Sequence, residues 1–247
     1  MTDPGNTILI IGGSSDIGHA TALCFAQSGW NVQLAGRDPM SLTRNAKDIE
    51  VRTGRTVTAH EFDALGDGPF DRFVDSLPVL PAVAVCVVGL LGDQRRAERD
   101  ALHARAIMRS NYEGPALVLD VLAARMAERG SGTLVGVSSV AGDRGRASNY
   151  YYGSAKAGFT AYLSGLRNRL CRSGVAVITV KPGFVATRMT AGMKLPPALV
   201  ATPHEVGAAI FRAVRHGRTT IYVRGIWRWI MAIICSIPER IFRHLSL

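Results

Sequence analysis

Residues Thr7 to Ile11 form a short, mostly apolar run that stops at Gly12-Gly13-Ser14-Ser15-Asp16-Ile17-Gly18, and a helix-like segment follows from Ile17 to Ser28. A buried strand, a glycine-rich turn and a helix in that order open a βαβ unit, which restricts the rest of the chain to few layouts. Further strand-like runs occur at Asn31 to Ala35, Thr56 to Phe62, Ala82 to Val88, Gly132 to Val137, Val175 to Val180 and Thr219 to Val223. Helical periodicity separates most of them. A parallel crossover needs a covering helix, so seven strands alternating with helices predict a parallel sheet covered on both faces. The expected fold class is therefore α/β: a single-domain, doubly wound, Rossmann-type sheet of seven parallel strands.

The length of 247 residues, with 47% hydrophobic and 19% charged, suits one domain spanning 1–247, of which 224–247 is a basic, apolar tail. The formal net charge of +10 admits nucleic acid, anionic lipid or a phosphorylated substrate as partner. The basic residues are dispersed, without zinc-finger spacing or a basic aromatic repeat, so nucleic-acid binding is not expected. Cys24, Cys86, Cys171 and Cys235 lie far apart in apolar stretches, and no C-x-x-C or His/Cys cluster accompanies them. They read as reduced core thiols, with no metal site. The segment Met1 to Asn6 lacks a basic signal-peptide start, so a cytoplasmic location is expected. Ile226 to Ile237, interrupted by Arg228, falls short of the roughly 20 residues that span a bilayer. Lying on the inner face of the membrane remains open to it. Asp38-Pro39 and Pro78 to Pro81 read as loop or helix-boundary punctuation, and Lys194 to Thr202 as a mobile connection, a candidate substrate lid.

Glycines between a first strand and first helix let backbone amides approach a pyrophosphate at the helix amino terminus. Taken alone, such a loop is as often only a tight turn. After the second strand, where a carboxylate ordinarily bonds the adenosine ribose of NAD, the chain reads Leu34-Ala35-Gly36-Arg37. Arg37 suits the 2′-phosphate of NADP, so NADP(H) is favoured over NAD(H), against the alternative of a solvated surface arginine. Asp63, after the third strand, either accepts from the adenine amino group or caps the next turn.

Tyr152 and Lys156 share one helix face through i, i+4 spacing. An ammonium near a phenol favours the phenolate, so Lys156 is expected to lower the Tyr152 pKa toward the range of a general acid or base. Tyr150 and Tyr151 are followed four residues later by Ser154 and Ala155, neither cationic, which selects Tyr152. Ser139 ends the fifth strand thirteen residues earlier, where its hydroxyl can hold a substrate carbonyl, while Ser138 alternates to the other side.

With these residues in place, the chain resembles the classical short-chain dehydrogenase/reductases over essentially its full length. The resemblance implies a Gly-rich cofactor loop at Gly12, Ser14, Ser15, Asp16, Ile17 and Gly18, and a catalytic set of Asn111, Ser139, Tyr152 and Lys156, with Asn111 supporting a proton-relay water. It also implies that Pro182, Gly183, Val185 and Thr187 border the nicotinamide, with Gly89, Tyr152 and Lys156 as further cofactor contacts. Two departures stand out. Asp16 occupies the place of a middle glycine, and Cys86-Val87-Val88-Gly89 replaces Asn-Asn-Ala-Gly. Segments Gly89 to Asp93, Phe62 to Leu65, Ala141 to Asn149, Thr187 to Met189 and Ile237 to Arg243 are similar to the decaprenylphosphoryl-2-keto-ribose reductases. That resemblance implies NAD(P)H-dependent reduction of a 2-keto pentofuranose on a polyprenyl phosphate, the second step of a ribose-to-arabinose epimerisation begun by a partner flavin oxidase, in cell envelope biosynthesis.

The tail suits such a lipid-linked substrate: Arg224, Arg228, Arg240 and Arg243 flank Ile226, Trp227, Trp229, Ile230, Met231, Ile233, Ile234 and Ile237. Peripheral membrane contact is thus one expectation, and packing on a neighbouring subunit of a homo-oligomer is the other. Reduction of a soluble or steroid-like ketone is the second enzymatic reading. A non-catalytic cofactor-sensing protein is the third, motivated by the two departures.

Overall fold

The computed structural model describes residues 6–66 and 68–245. Residues 1–5, on which the reading of the amino terminus mostly rests, and the last two residues of the 224–247 tail lie outside them. In chain order the elements are β1 (Thr7–Ile11), α1 (Asp16–Gln27), β2 (Asn31–Gly36), α2 (Pro39–Thr53), β3 (Val57–Glu61), α3 (Phe70–Asp75), β4 (Val83–Cys86), α4 (Gln94–Ala97), α5 (Ala101–Met108), α6 (Gly114–Arg129) and β5 (Gly132–Val137). There follow α7 (Tyr150–Leu170), β6 (Val175–Pro182), β7 (Phe184–Val185), β8 (Val200–Ala201), α8 (Pro203–Arg215), β9 (Thr220–Val223), α9 (Ile226–Ser236) and α10 (Glu239–Phe242). Seven strands pair in parallel in the order β3-β2-β1-β4-β5-β6-β9. This is the doubly wound α/β sheet the alternation predicts.

Strand alternation explains why both faces are covered. Ile8 and Ile10 point into a core shared with α1, α2 and α8, whereas Leu9 and Ile11 point into a second core with α3, α6 and α7. All four are fully buried, and each such side chain contributes about 1.5–3 kcal/mol. The helices start where their sequences provide caps. Ser15 caps α1 through Gly18 N at 3.0 Å, Asp38 caps α2 through Ser41 N at 3.2 Å, and Thr202 with Glu205 forms a capping box on α8. Pro39 and Pro203 occupy first-turn positions, where no amide donor is lost.

Four expectations need correction. Cys24 and Cys86 are core thiols, but Cys171 and Cys235 are exposed. Cys171 ends α7, and Cys235 lies near the end of α9 with its thiol on the Asp143 carbonyl at 3.3 Å. The carboxyl half of the Lys194 to Thr202 connection is tied down: β8 pairs with β7, and Trp227 donates to Leu199 O. Arg224 is not an outward tail charge. Its guanidinium bonds Glu205 at 3.2 Å and Ala198 O at 2.7 Å. The strand ends also differ slightly from those expected, with β6 running on to Pro182 and β4 closing at Cys86. Among the described residues no helix is long and apolar enough to cross a membrane.

Candidate active site

The strand order changes direction between β1 and β4, and in open parallel sheets the crevice beyond the carboxyl ends at such a point is where ligands bind. Gly12, Arg37, Asp63, Gly89, Ser139 and Gly183 each follow or close a strand at that end. A cleft of about 300 Å³ runs there, walled by Gly12, Ser14, Ser15, Gly36, Arg37, Asp38, Phe62, Asp63, Val87, Val88, Gly89 and Arg188, among others.

The glycine loop is held rigidly beneath this cleft. Gly12 and Gly13 N both donate to Ala35 O, at 2.8 and 2.9 Å, and Ser15 Oγ donates back to Gly12 O at 2.7 Å. Gly12 has φ +96°, and a Cβ there would stand 2.9 Å from Val87 Cγ2, so only glycine fits. A Cβ on Gly18 would collide with the Gly12 carbonyl. The Asp16 and Ile17 amides, at the start of α1, meet no acceptor among the described residues. Ile17 itself packs against the core. Asp16 carries its carboxylate to Arg188, whose main-chain N and Nε donate to it at 2.7 and 3.1 Å.

At the far end of the cleft Arg37 extends its side chain into solvent, 4.0 Å from the Asp63 carboxylate. Asp63 takes the capping alternative, accepting from Leu65 N at 2.9 Å, while still lining the cleft. Asp38, close to the end of β2 and read from the sequence as helix-boundary punctuation, does cap α2, accepting from Ser41 N and Oγ. Arg37, loosely paired with Asp63, is thus the basic residue at the β2 end of the cleft.

The deeper part of the site joins β5 to α7. Ser139 caps the turn at Val140–Gly142, with Ala141 N on its Oγ at 3.1 Å, and its side chain lies beside the Tyr152 phenol. Ser138 faces away, bonding Lys156 O and Thr160 Oγ1. Lys156 is 3% exposed, with Nζ 3.0 Å from Val137 O and 3.5 Å from Val88 O. Among the described residues no carboxylate attends it, and burial pulls its pKa down to about 8. Its Nζ stands 5.8 Å from the Tyr152 ring centre. The expected lowering of the Tyr152 pKa is not found. Burial pushes the phenol up, and the neighbouring Ser139 side chain opposes that only in part. Spacing placed the two groups on one face but said nothing of desolvation. Tyr150 bonds Glu98 on the surface, and Tyr151 lies against Tyr150.

Asn111 sits fully buried in a one-turn π-helix, Arg109–Glu113, between α5 and α6. Residue 115 is proline, so the Asn111 carbonyl cannot receive the usual i+4 amide, which accounts for the local widening. Its Nδ2 donates to Leu90 O at 2.6 Å and Ile107 O at 2.8 Å, and its Oδ1 accepts from Leu90 N at 3.3 Å. Both amide hydrogens are therefore engaged. Gly89 fits between, since a Cβ would lie 2.9 Å from Asn111 Oδ1 and 3.4 Å from Lys156 Nζ. Asn111, through Leu90, and Lys156, through Val88 O, together hold the segment after β4 in the absence of the Asn-Asn-Ala-Gly side chains.

On the opposite wall, Pro182 pairs with Val223, Gly183 lies flat against the Trp227 indole, and Val185 is core. Thr187 N donates to Thr190 Oγ1 at 3.2 Å, directly before Arg188. The motifs did not single out Arg188 as a basic cleft residue, nor Phe62, Val87 and Val88 as apolar wall residues; the signal for Arg188 was adjacency to Thr187.

The sequence pattern of the family described as short chain dehydrogenase matches residues 6–196. The chain belongs to the short-chain dehydrogenase family. This short-chain dehydrogenase is 38% identical over 251 residues to an uncharacterized oxidoreductase of Mycobacterium tuberculosis, covering 99% of each chain. It is 36% identical over 247 residues to an uncharacterized oxidoreductase of Streptomyces coelicolor, covering 98% of this chain and 96% of the other. Among solved structures, a short-chain dehydrogenase from Sphingobium yanoikuyae in complex with NADPH superposes with a TM-score of 0.81 at 21% identity, over 95% of this chain and 97% of that one. The protein is accordingly an oxidoreductase of the short-chain type. The cleft of this short-chain dehydrogenase, with glycines where a Cβ would intrude, unpartnered first-turn amides and two arginines, fits an extended anionic dinucleotide.

Proposed function

We propose that this enzyme reduces a ketone to a secondary alcohol with a nicotinamide cofactor, NADPH in preference to NADH. The observation that carries the reading is the convergence of Ser139, Tyr152 and buried Lys156 at the carboxyl end of β5, beside the glycine-walled cleft. Gly12, Ser14, Ser15, Asp16, Ile17 and Gly18 would cradle the diphosphate, Arg37 the 2′-phosphate, and Asp63 the adenine end. Gly89, Lys156, Pro182, Gly183, Val185 and Thr187 would border the nicotinamide and its ribose. When bound, the reduced nicotinamide supplies the hydride for the carbonyl carbon.

The chain's own residues supply the proton. Tyr152, held protonated by burial, donates its phenolic hydrogen to the carbonyl oxygen while the Ser139 hydroxyl bonds the same oxygen. Lys156, with a pKa near 8, returns a proton to the phenolate through water. Asn111 has no side-chain hydrogen left to give, so a relay water at this residue is held by an Asn111 oxygen.

For the substrate we propose the 2-keto group of a polyprenyl-phosphate-linked pentofuranose, delivered by a flavin oxidase acting before it. The α9 helix supports this reading. Its inner residues Trp227 and Met231 pack on Val140, next to Ser139, and on Phe184, while Ile226, Trp229 and Ile233 face outward beside exposed Arg228. A lipid surface meeting that outer face at the cytoplasmic leaflet would present a phosphate-linked sugar close to the site. An assay of the keto-pentose polyprenyl phosphate with NADPH and with NADH tests both parts. Turnover, faster with NADPH, is expected. Inactivity with both, alongside reduction of a soluble ketone, would overturn the substrate and leave the reductase.

A further inference from the structure

Asp16 poses an electrostatic problem for the proposed cofactor cleft: it sets a carboxylate at the amino-terminal end of α1, where a diphosphate would lie. We propose that Arg188 is a phosphate-contacting residue of this cleft and that Asp16 is the counter-charge that positions it, an inference that rests on the nicotinamide-cofactor reading. The geometry is specific. Arg188 reaches back across the chain to the loop 172 residues earlier, with its main-chain N on Asp16 Oδ2 at 2.7 Å and Nε on Oδ1 at 3.1 Å. Its Nη2 donates to the Ser14 carbonyl at 2.5 Å. Two of these three contacts use main-chain atoms, so the fork is fixed by the backbone on both sides of the cleft before any ligand arrives.

A guanidinium has five N–H donors in one plane. Nε and one Nη2 hydrogen are engaged, whereas Nη1 meets no acceptor among the described residues. The side chain is 67% exposed and lines the same cleft as Gly12, Ser14 and Ser15. It also lines the adjoining cavity of about 700 Å³ walled by Thr187 and Met193, so it stands at the doorway between them. Free donors on a pre-positioned fork match a phosphate geometrically, which a lysine's point charge does not. Asp16 then serves two ends: it orients Arg188 and is itself neutralised, so the diphosphate meets free guanidinium donors and no uncompensated carboxylate. In this chain the pair takes the place of an open glycine.

The alternative is an ordinary solvated ion pair of negligible consequence. Binding of NADPH, followed by its fluorescence, and competition by ADP-ribose separate the two in the full chain carrying R188A, R188K, D16N or D16N/R188A, each checked for a native melting transition. R188A should weaken NADPH and ADP-ribose alike by roughly 10–100-fold, the range of a lost charge-assisted bond plus an exposed carboxylate. R188K should retain part of the affinity, and D16N/R188A should bind better than R188A because the unpaired carboxylate is gone. Binding by R188A within twofold of the wild type would overturn the inference alone. A double variant no better than R188A would overturn the role of Asp16. Failure of the wild type to bind either NADPH or NADH would instead overturn the cofactor reading beneath it.

Discussion

Asn111→Ala separates a holding role from a purely chemical one. The substitution removes Nδ2 from the Leu90 and Ile107 carbonyls and Oδ1 from Leu90 N, at a position with no solvent exposure. A buried polar group left without a partner costs about 1–3 kcal/mol. Leu90 is itself 37% exposed, so water can recover part of the loss at its carbonyl and amide. The net destabilisation is therefore about 2–3 kcal/mol, which in a chain of this size lowers the melting temperature by roughly 5–10 °C. Lys156 shares the turn through Val88 O and stands beside Gly89, so release of the turn should also reduce ketone turnover by about tenfold or more. Differential scanning calorimetry and steady-state NADPH oxidation on the same preparation give both readouts. A melting temperature within 2 °C of the wild type would refute the holding role, whatever the rate.

Further expectations follow from the charges in the cleft and on the tail. Lys156, pulled down to about 8, loses its proton as pH climbs through that value, whereas Tyr152, pushed up, keeps its own. Reductive turnover should therefore be level below pH 7 and decline above about pH 8; a rate that rises across pH 8–9 would contradict this. Arg37→Glu should raise the KM for NADPH by roughly 10–100-fold with little change for NADH, measured by initial rates, since it places a carboxylate opposite the 2′-phosphate. Replacing Trp229 and Ile233 by serine should weaken sedimentation with anionic phospholipid vesicles by about tenfold without altering the melt, because both side chains point outward. Equal sedimentation would remove the tail from lipid contact.

Much of the fold can be read from the chain because buried parallel strands have to be apolar on both faces. Thr7–Ile11 and Gly132–Val137 are found with both ends as expected, each being an apolar stretch bounded by turn residues. The edge strand β3 is shorter than its apolar pattern, since a strand paired on one side alone ends where its neighbour Gly36 ends. The two-residue strands β7 and β8 carry no period at all and depend on tertiary pairing. The candidate site divides in the same way. Local spacing brings Tyr152 and Lys156 to one helix face, and strand order brings Ser139 and Gly89 alongside. Burial, however, is a tertiary property: it reverses the direction expected for Tyr152, and it separates Cys86, in the core, from Cys235, in an equally apolar sequence. The Asp16–Arg188 pair spans 172 residues and has no local signature.

Tyr152→Phe tests the central claim most directly. The substitution keeps the ring against Ile107 and Ala104 and removes only the hydroxyl beside Ser139. Turnover of a ketone and the dissociation constant for NADPH are measured together. The expected result is a loss of reduction by roughly 10²–10⁴-fold, the range of a lost general acid, with cofactor affinity within a fewfold of the wild type. Reduction within tenfold of the wild type, at unchanged cofactor affinity, would contradict the assignment of the proton to Tyr152.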